Sequence, residues 1–561
     1  MHAPNPAAPT VPAPGRAVEG TTADILVETL HRRGVDTIFA LPGIQNDPLF
    51  DALYHAADRV RTINPRHEQA TAYMATGYGM ATGRPGVCAV VPGPGLLNTT
   101  GALATAWACS APVIALAGQI PQRMIGRGVG MLHEIHDQLG VLRHVTKSAE
   151  RIAHPGQAGT LTARAFDIAN TAPCRPVGLE CALDVWGRTG RATIPDSEPG
   201  RAAADLADLA GLEQAAKLLA RAERPLIVVG GGAQGAAEPF RRLAAALGAP
   251  VTANRMGRGV LASDDPLCVD PVAGHRLWGE ADVVLAIGTR LQLQLMDWGL
   301  DERLKIIRIE ADPEALDRLS PPTVRLVGNA AEVVADLLDQ LPPGMAPRAL
   351  GDWIEPARRA AAQALSALEP QIGWLDAIRD VLPRNGIFVD ELTQLGYASR
   401  AVFPVYEPRS FLSPGYQGTL GWGFPSALGA QVACPDRKVL SINGDGGFLY
   451  NIAELATAAQ HRIPLVAIVV NDRAYGNVAR IQDQKFGGRR IASALNSPDF
   501  VGVAENFGVR GMHANTPDAL RACLEEAFAL DAPVLIEVEA GPMPDPWALL
   551  RFSPSRGRKV S

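Results

Sequence analysis

Short apolar runs at 35–43, 87–91, 111–118, 225–230, 281–288, 305–309, 386–390, 438–443, 465–470 and 532–538 recur along the chain, with helix-like stretches between them. Most are continuous rather than alternating, so both faces of each strand must be covered. That is the pattern of parallel sheets flanked by helices. Many of the runs end in or beside Gly, Asp or Asn, and in open parallel sheets ligands bind at the carboxyl ends of the strands. The expected fold class is α/β, built from doubly wound parallel-sheet domains.

Two breaks divide the 561 residues. The segment 187–203 is polar and punctuated by Gly, Pro and Arg, and 341–347 is Pro-rich. The expected organisation is a disordered N-terminal tail at 1–19, α/β units at 20–186, 204–342 and 353–545, and a C-terminal tail at 546–561. Each unit is within ordinary domain size, about 100–200 residues. The first and third units can be distant copies of one sheet design.

Composition narrows the function classes. A net charge of −6 with no Lys/Arg cluster leaves no basic footprint for nucleic acid or for an anionic membrane surface. The apolar run at 464–470 falls far short of the roughly 18 residues a membrane span needs. Seven cysteines without CxxC spacing suit buried thiols in a reducing compartment, and the Ala/Pro-rich opening lacks the apolar core of a signal peptide. The cytoplasm is the expected location.

The chemistry-bearing motif is Gly444-Asp445-Gly446-Gly447, which follows the strand-like run at 439–443 and opens a helical stretch at 448–460. Glycines there let the backbone approach an anion closely. A diphosphate also needs a hard cation with oxygen ligands, and Asp445 is the first candidate ligand. One helix and one strand later the chain returns at Asn471-Asp472-Arg473-Ala474, where Asp472 offers a second oxygen and Ala474 a carbonyl. The bland alternative is a tight βα turn followed by an Asx turn.

This spacing, together with Glu68 in Pro65-Arg66-His67-Glu68, the glycine loop at 84–98, the turn Ala117-Gly118-Gln119-Ile120-Pro121 and the segment Gly418-Thr419-Leu420-Gly421-Trp422-Gly423, resembles the thiamine-diphosphate-dependent enzymes. The resemblance covers about residues 20 to 545 and is closest to the acetolactate synthase group. It implies pyrimidine-binding, central Rossmann-like and diphosphate-binding domains. It also implies Mg²⁺, with Ca²⁺ as an alternative, at Asp445, Asp472 and Ala474. Gly444, Gly446, Gly447, Tyr475 and Gly476 would complete the diphosphate site. Glu68 would bond the pyrimidine nitrogen and drive the amino group to its imino form. The carbonyl of Gly418 would hold that group, and Leu420 would bend the cofactor until a carbanion forms. The family also implies a homodimer with shared active sites, with a tetramer as a further form. Most members carry Asn where Asp472 stands, a change that keeps an oxygen ligand and adds charge.

Substrate-facing candidates follow. His133 falls where acetolactate synthases place a glutamine, Gln45 and Asn46 sit on a loop at a strand end, and His67, adjacent to Glu68, and Gln119 are further candidates. Lone surface placement is the alternative for His133, and its spacing to His136 is not that of a zinc site. Asn477 and Ile481 depart from the family's Gly-Met-Val…Trp pattern. Gly230-Gly231-Gly232-Ala233-Gln234-Gly235 has the form of a dinucleotide turn, but no acid ends a second strand about 20 residues on. No flavin-contacting stretch is recognisable around 270–275, so FAD is the less favoured expectation. The leading function is decarboxylation of a 2-oxo acid of the pyruvate type, with transfer of the acyl unit to a second carbonyl. The alternatives are a 2-hydroxyacyl lyase, a simple 2-oxo acid decarboxylase, an FAD-linked oxidase, or a cofactor-binding paralogue without turnover.

Overall fold

The computed structural model describes residues 15–196 and 209–559. Three six-stranded sheets, each parallel throughout, organise the chain, so the expected α/β class is the observed one. Across the first sheet the strands run Arg61–Ile63, Thr37–Ala40, Gly86–Val90, Val113–Gln119, Val177–Ala182 and Ala149–Ile152. Across the third they run Phe411–Leu412, Ile387–Val389, Val439–Gly444, Val466–Val470, Val534–Val538 and Arg510–Ala514. Numbered within each sheet by sequence, both have the order 2-1-3-4-6-5, so one design is used twice. The middle sheet (Cys268–Val269, Val251–Ala253, Pro225–Val229, Val283–Ile287, Lys305–Glu310, Val324–Val327) has the order 3-2-1-4-5-6 of a Rossmann-type sheet. Central strands such as Val113–Gln119, Val283–Ile287 and Val466–Val470 are buried at every residue, as continuous apolar runs require.

Both expected tails need correction. Residues 15–19 are not disordered: Gly15–Thr21 pairs antiparallel with Thr189–Pro195, which takes seven residues of the expected linker. The pairing satisfies backbone groups that the polar side chains gave no reason to order, and half-buried Val18 anchors it on the first core. The rest of the expected tail, 1–14, lies outside the described residues. Residues 546–559 of the expected C-terminal tail are likewise no free tail. Phe552 stacks on His275 with ring centroids 4.3 Å apart, Ser553 accepts from His275 Nε2 at 2.9 Å, and Arg558 bridges to Leu300. Its apolar residues strap it to the central unit.

The first and third units meet through a crossing of the helices Glu68–Thr82 and Gly423–Ala433. A Cβ at Gly77 would stand 1.9 Å from the Ser426 carbonyl oxygen, and one at Gly429 would stand 2.0 Å from that of Met74. The two backbones touch, and only glycine permits it. Glu454, fully buried, reinforces the junction by accepting the backbone N–H groups of Arg66 and His67, each at 3.1 Å. Alanine raises helix stability by about 1 kcal/mol over glycine in an open helix. Here the overlap should reverse that sign. Gly429→Ala is expected to lower stability by roughly 1–3 kcal/mol in chemical denaturation; a more stable variant would mean that the helices do not touch.

Candidate functional site

The strand Val439–Gly444 delivers Asp445 to the carboxyl edge of the third sheet, 1% exposed. The helical turn begins at Asp445 itself, three residues earlier than its sequence pattern suggests, and is followed by Leu449–Asn451 and Glu454–His461. Asp445 Oδ2 accepts from Ser497 Oγ at 2.6 Å. A Cβ at Gly446 would meet the Tyr475 ring at 2.6 Å, and one at Gly476 would meet Asp472 Oδ2 at 2.4 Å. The neighbouring strand Val466–Val470 brings Asn471 and Asp472 to the same edge. Asn471 is tied to Glu537 at 2.7 Å and accepts from Arg473 N at 3.3 Å, so an Asx turn is present alongside the acid pair.

Asp472 keeps one face open to solvent, yet its carboxyl is pushed up to about 7, by burial first and then by the Asp445 carboxylate beside it. Two acids that repel each other, with no cation between them among the described residues, fit a divalent cation. Ala474 can add its carbonyl, since the local backbone bonds run instead through Tyr475 N–Ser493 O and Leu495 N–Arg473 O. No cluster of three or more His, Cys, Asp or Glu occurs among the described residues. The chain therefore supplies a partial set that phosphate oxygens would have to complete.

Glu68 opens its helix behind His67, whose Nδ1 accepts from Gln69 N at 3.1 Å. The His67 ring is thus spent on capping. The Glu68 carboxylate takes one hydrogen bond, from Asn98 Nδ2 at 3.0 Å. Among the described residues nothing bonds it to Gly418, Asp445 or Asp472 of the same chain. Gly418 has φ 58°, a left-handed geometry suited to glycine, and Leu420 is half-buried beside it.

Sequence reasoning missed Glu391. It is 1% exposed and lies beneath both glycine turns. It accepts Gly421 N–H at 2.7 Å and Gly423 N–H at 3.1 Å, and a Cβ at Gly447 would sit 2.2 Å from its Oε1. Asn451 Nδ2 holds the Gly421 carbonyl at 2.7 Å from the other side. Burial pushes the Glu391 carboxyl up to about 7 against the pull of the two N–H donors. The available signal was an acid at the end of a strand, directly after Asp390.

The other candidates scatter around the carboxyl edge of the first sheet. His133 sits at φ 69° with a buried, unpartnered Nδ1, and its carbonyl would stand 2.3 Å from a Cβ at Gly93. Gln119 is turned inward, accepting from Ile120 N at 2.7 Å and donating to Glu180 at 3.4 Å. Gln45 donates to the Leu132 carbonyl at 3.2 Å, and Asn46, fully buried, donates to Val90 O at 2.8 Å. On the third domain Asn477 Oδ1 accepts from Trp547 Nε1 at 2.9 Å and from Arg480, with Ile481 half-buried behind it. A cavity of about 960 Å³ begins at Gly418, Tyr397, Asn477 and Trp547 and reaches the central turn Gly230–Gly232. It does not include Asp445. The strand Val251–Ala253 ends at Asn254, whose amide is engaged with Thr289 and Gln294, so no ribose-binding acid stands there.

Three family models match the chain: the thiamine pyrophosphate enzyme N-terminal TPP-binding domain over residues 20–141, the central domain over 212–337, and the C-terminal TPP-binding domain over 393–538. A probable acetolactate synthase large subunit of Methanocaldococcus jannaschii is 34% identical, covering 96% of this chain and 94% of its own. A probable 2-ketoarginine decarboxylase of Pseudomonas aeruginosa is also 34% identical, covering 92% and 94%. The acetolactate synthase large subunit of Haemophilus influenzae is 30% identical, covering 91% and 92%.

The buried Glu391 carboxyl makes a pH prediction. Its folded-state value of about 7 lies above the ordinary 4.5, so its contribution is complete below pH 4.5 and is lost as pH rises through 7. The metal-free wild type should therefore lose stability between pH 5 and 8 more steeply than Glu391→Gln, by on the order of 3 kcal/mol at most, read as a steeper fall in melting temperature. Parallel melting curves for the two proteins would show the carboxyl to be ionised at no cost.

Proposed function

The chain belongs to the thiamine-diphosphate enzymes, in the acetolactate synthase-like group, and on that footing we propose that it decarboxylates a 2-oxo acid of the pyruvate type and transfers the acyl unit to a second carbonyl. The observation that carries the reading is the Asp445–Asp472 pair, two acids held against each other where the strand Val439–Gly444 gives way to the helical turn Asp445–Phe448. When bound, thiamine diphosphate supplies a carbon nucleophile and an electron sink beside a carbonyl. Mg²⁺ is the favoured cation, held by Asp445, Asp472 and the Ala474 carbonyl. With the cofactor bound, Glu68 would hold a proton at the pyrimidine nitrogen, the Gly418 carbonyl would orient the amino group, and Leu420 would pack on the ring system from the turn that Glu391 and Asn451 tie down. Gln119 and Gln45 lie too deep to meet substrate without moving, which leaves His133 and Asn477 as the substrate-facing pair.

A second reading, simple 2-oxo acid decarboxylation, is favoured by the equally similar 2-ketoarginine decarboxylase and by Asn477 and Ile481, where acetolactate synthases keep other residues. FAD is not part of the proposed site; the engaged Asn254 amide argues against it. We place the site between two copies of the chain, because Glu68 has its single carboxylate bond within its own domain. Seven unpaired cysteines support a reducing compartment such as the cytoplasm.

Purified protein given thiamine diphosphate, Mg²⁺ and pyruvate should form acetolactate. Acetaldehyde as the main product would select the second reading, and peroxide formation would select an oxidase. Glu68→Gln is expected to cut kcat at least about 100-fold while retaining cofactor binding, whereas Asp445→Ala should lose both at ordinary Mg²⁺ concentrations, as read by calorimetry. Full activity in Glu68→Gln would sink the assignment. Mixing the two inactive variants under subunit exchange should recover part of the activity, since one hybrid site keeps both residues. No recovery despite verified exchange would put each site within one chain.

A further inference from the structure

The connection 64–67 joins the strand Arg61–Ile63 to the helix that Glu68 opens, and it is bonded to a helix of the third domain, Glu454–His461. Asn64 Oδ1 accepts from Gln460 Nε2 at 3.0 Å and lies 2.8 Å from His461 Nε2, and the Arg66 guanidinium donates to Gln460 Oε1. Glu454 holds the backbone itself. Its Oε1 accepts the N–H groups of Arg66 and His67, each at 3.1 Å. Its Oε2 accepts the Arg66 N–H at 3.1 Å and the Thr457 hydroxyl at 2.6 Å. Those two N–H groups have no other acceptor among the described residues. Just upstream on the same segment, Asn451 Nδ2 reaches Gln69 Oε1 at 3.4 Å as well as the Gly421 carbonyl.

We propose that Glu454 is a positioning residue for the reaction: by fixing the two peptide units in front of Glu68, it sets where the Glu68 carboxylate stands. The inference rests on the reading of Glu68 as the acid that meets the cofactor's pyrimidine. Glu68 is the first residue of its helix, so its direction follows from the backbone of Arg66 and His67. A group that holds a proton for a reacting partner must stand at hydrogen-bond distance, and a misplacement of about 1 Å can cost on the order of 100-fold in rate. A carboxylate suits the task because both its oxygens accept and neither can turn a donor toward the N–H groups. It also lies at a helix N-terminus, where the dipole favours negative charge. Glu454 is fully buried, and burial raises its carboxyl above the ordinary range. A junction that needed only adhesion could bury an apolar side chain at lower cost. What the acid adds is a fixed geometry for the two N–H groups, supplied by a different domain from the one that carries Glu68.

Two measurements on protein loaded with thiamine diphosphate and Mg²⁺ test it without turnover. Exchange of the thiazolium C2 proton in D₂O, followed by quenched-flow NMR, reads the step that Glu68 serves, and calorimetric cofactor affinity reads the diphosphate end. Glu454→Gln keeps the size of the side chain and loses one acceptor, so the fold is retained. It is expected to slow exchange at least about fivefold, with Glu454→Ala slower still, while cofactor affinity stays within about threefold of wild type. In a Glu68→Gln background, Glu454→Gln should add less than about twofold, because a residue that acts through Glu68 then has nothing left to act on. Wild-type exchange in Glu454→Gln, a parallel fall in cofactor affinity, or losses that multiply with those of Glu68→Gln would each overturn the proposal and leave Glu454 a packing residue. Wild-type exchange in Glu68→Gln alone would instead remove the reading of Glu68, and this inference with it.

Discussion

The contact between the helices Glu68–Thr82 and Gly423–Ala433 governs how the first and third domains meet. Each helix begins at an element of the proposed site: Glu68 opens one, and the Gly418–Gly423 turn leads into the other. Because Gly77 and Gly429 let the backbones touch, the crossing has no side chains to slide on, and the domains are set at one distance. Close packing of this kind tolerates no added methyl group, and so it transmits position rather than absorbing it.

Around that frame the site is a problem in uncompensated charge. Asp445 raises the cost of the Asp472 charge at the edge of the third sheet, and burial pushes the Glu391 carboxyl up to about 7 beneath the turns. In the cavity wall, burial first and then the field of Arg400 push Arg255 down to about 10. Both arrangements are unfavourable for an isolated chain and become favourable when the complementary ion is present. At the sheet edge that complementary ion is the proposed divalent cation.

Ten of the twelve interior strands were legible because burial on both faces leaves no polar alternation to confuse the pattern; Val177–Ala182 and Val251–Ala253, though interior, were not read as strands. All six edge strands escaped: Arg61–Ile63, Ala149–Ile152, Cys268–Val269, Val324–Val327, Phe411–Leu412 and Arg510–Ala514. An edge strand is short, pairs on one side only and keeps polar residues, as in the alternating burial of Val324–Val327, so its sequence resembles a loop. Gly15–Thr21 and the 546–559 strap were missed for a related reason. Their order comes from pairing and docking with distant segments, which no local periodicity records.

Glycine turns at strand ends, the spacing from Asp445 to Asp472 and the acid ahead of a small-residue helix are properties of the chain written in order, so the family and the doubled sheet design were already present in the sequence. What the tertiary structure alone decided is which side chains share one space. Glu391 lies under two turns separated from it by tens of residues, Asn477 is taken by Trp547 from the C-terminal strap, and Arg255 meets Arg400 across a domain boundary. Desolvation and Coulomb fields depend on distance through space, and distance along the chain carries almost no information about either.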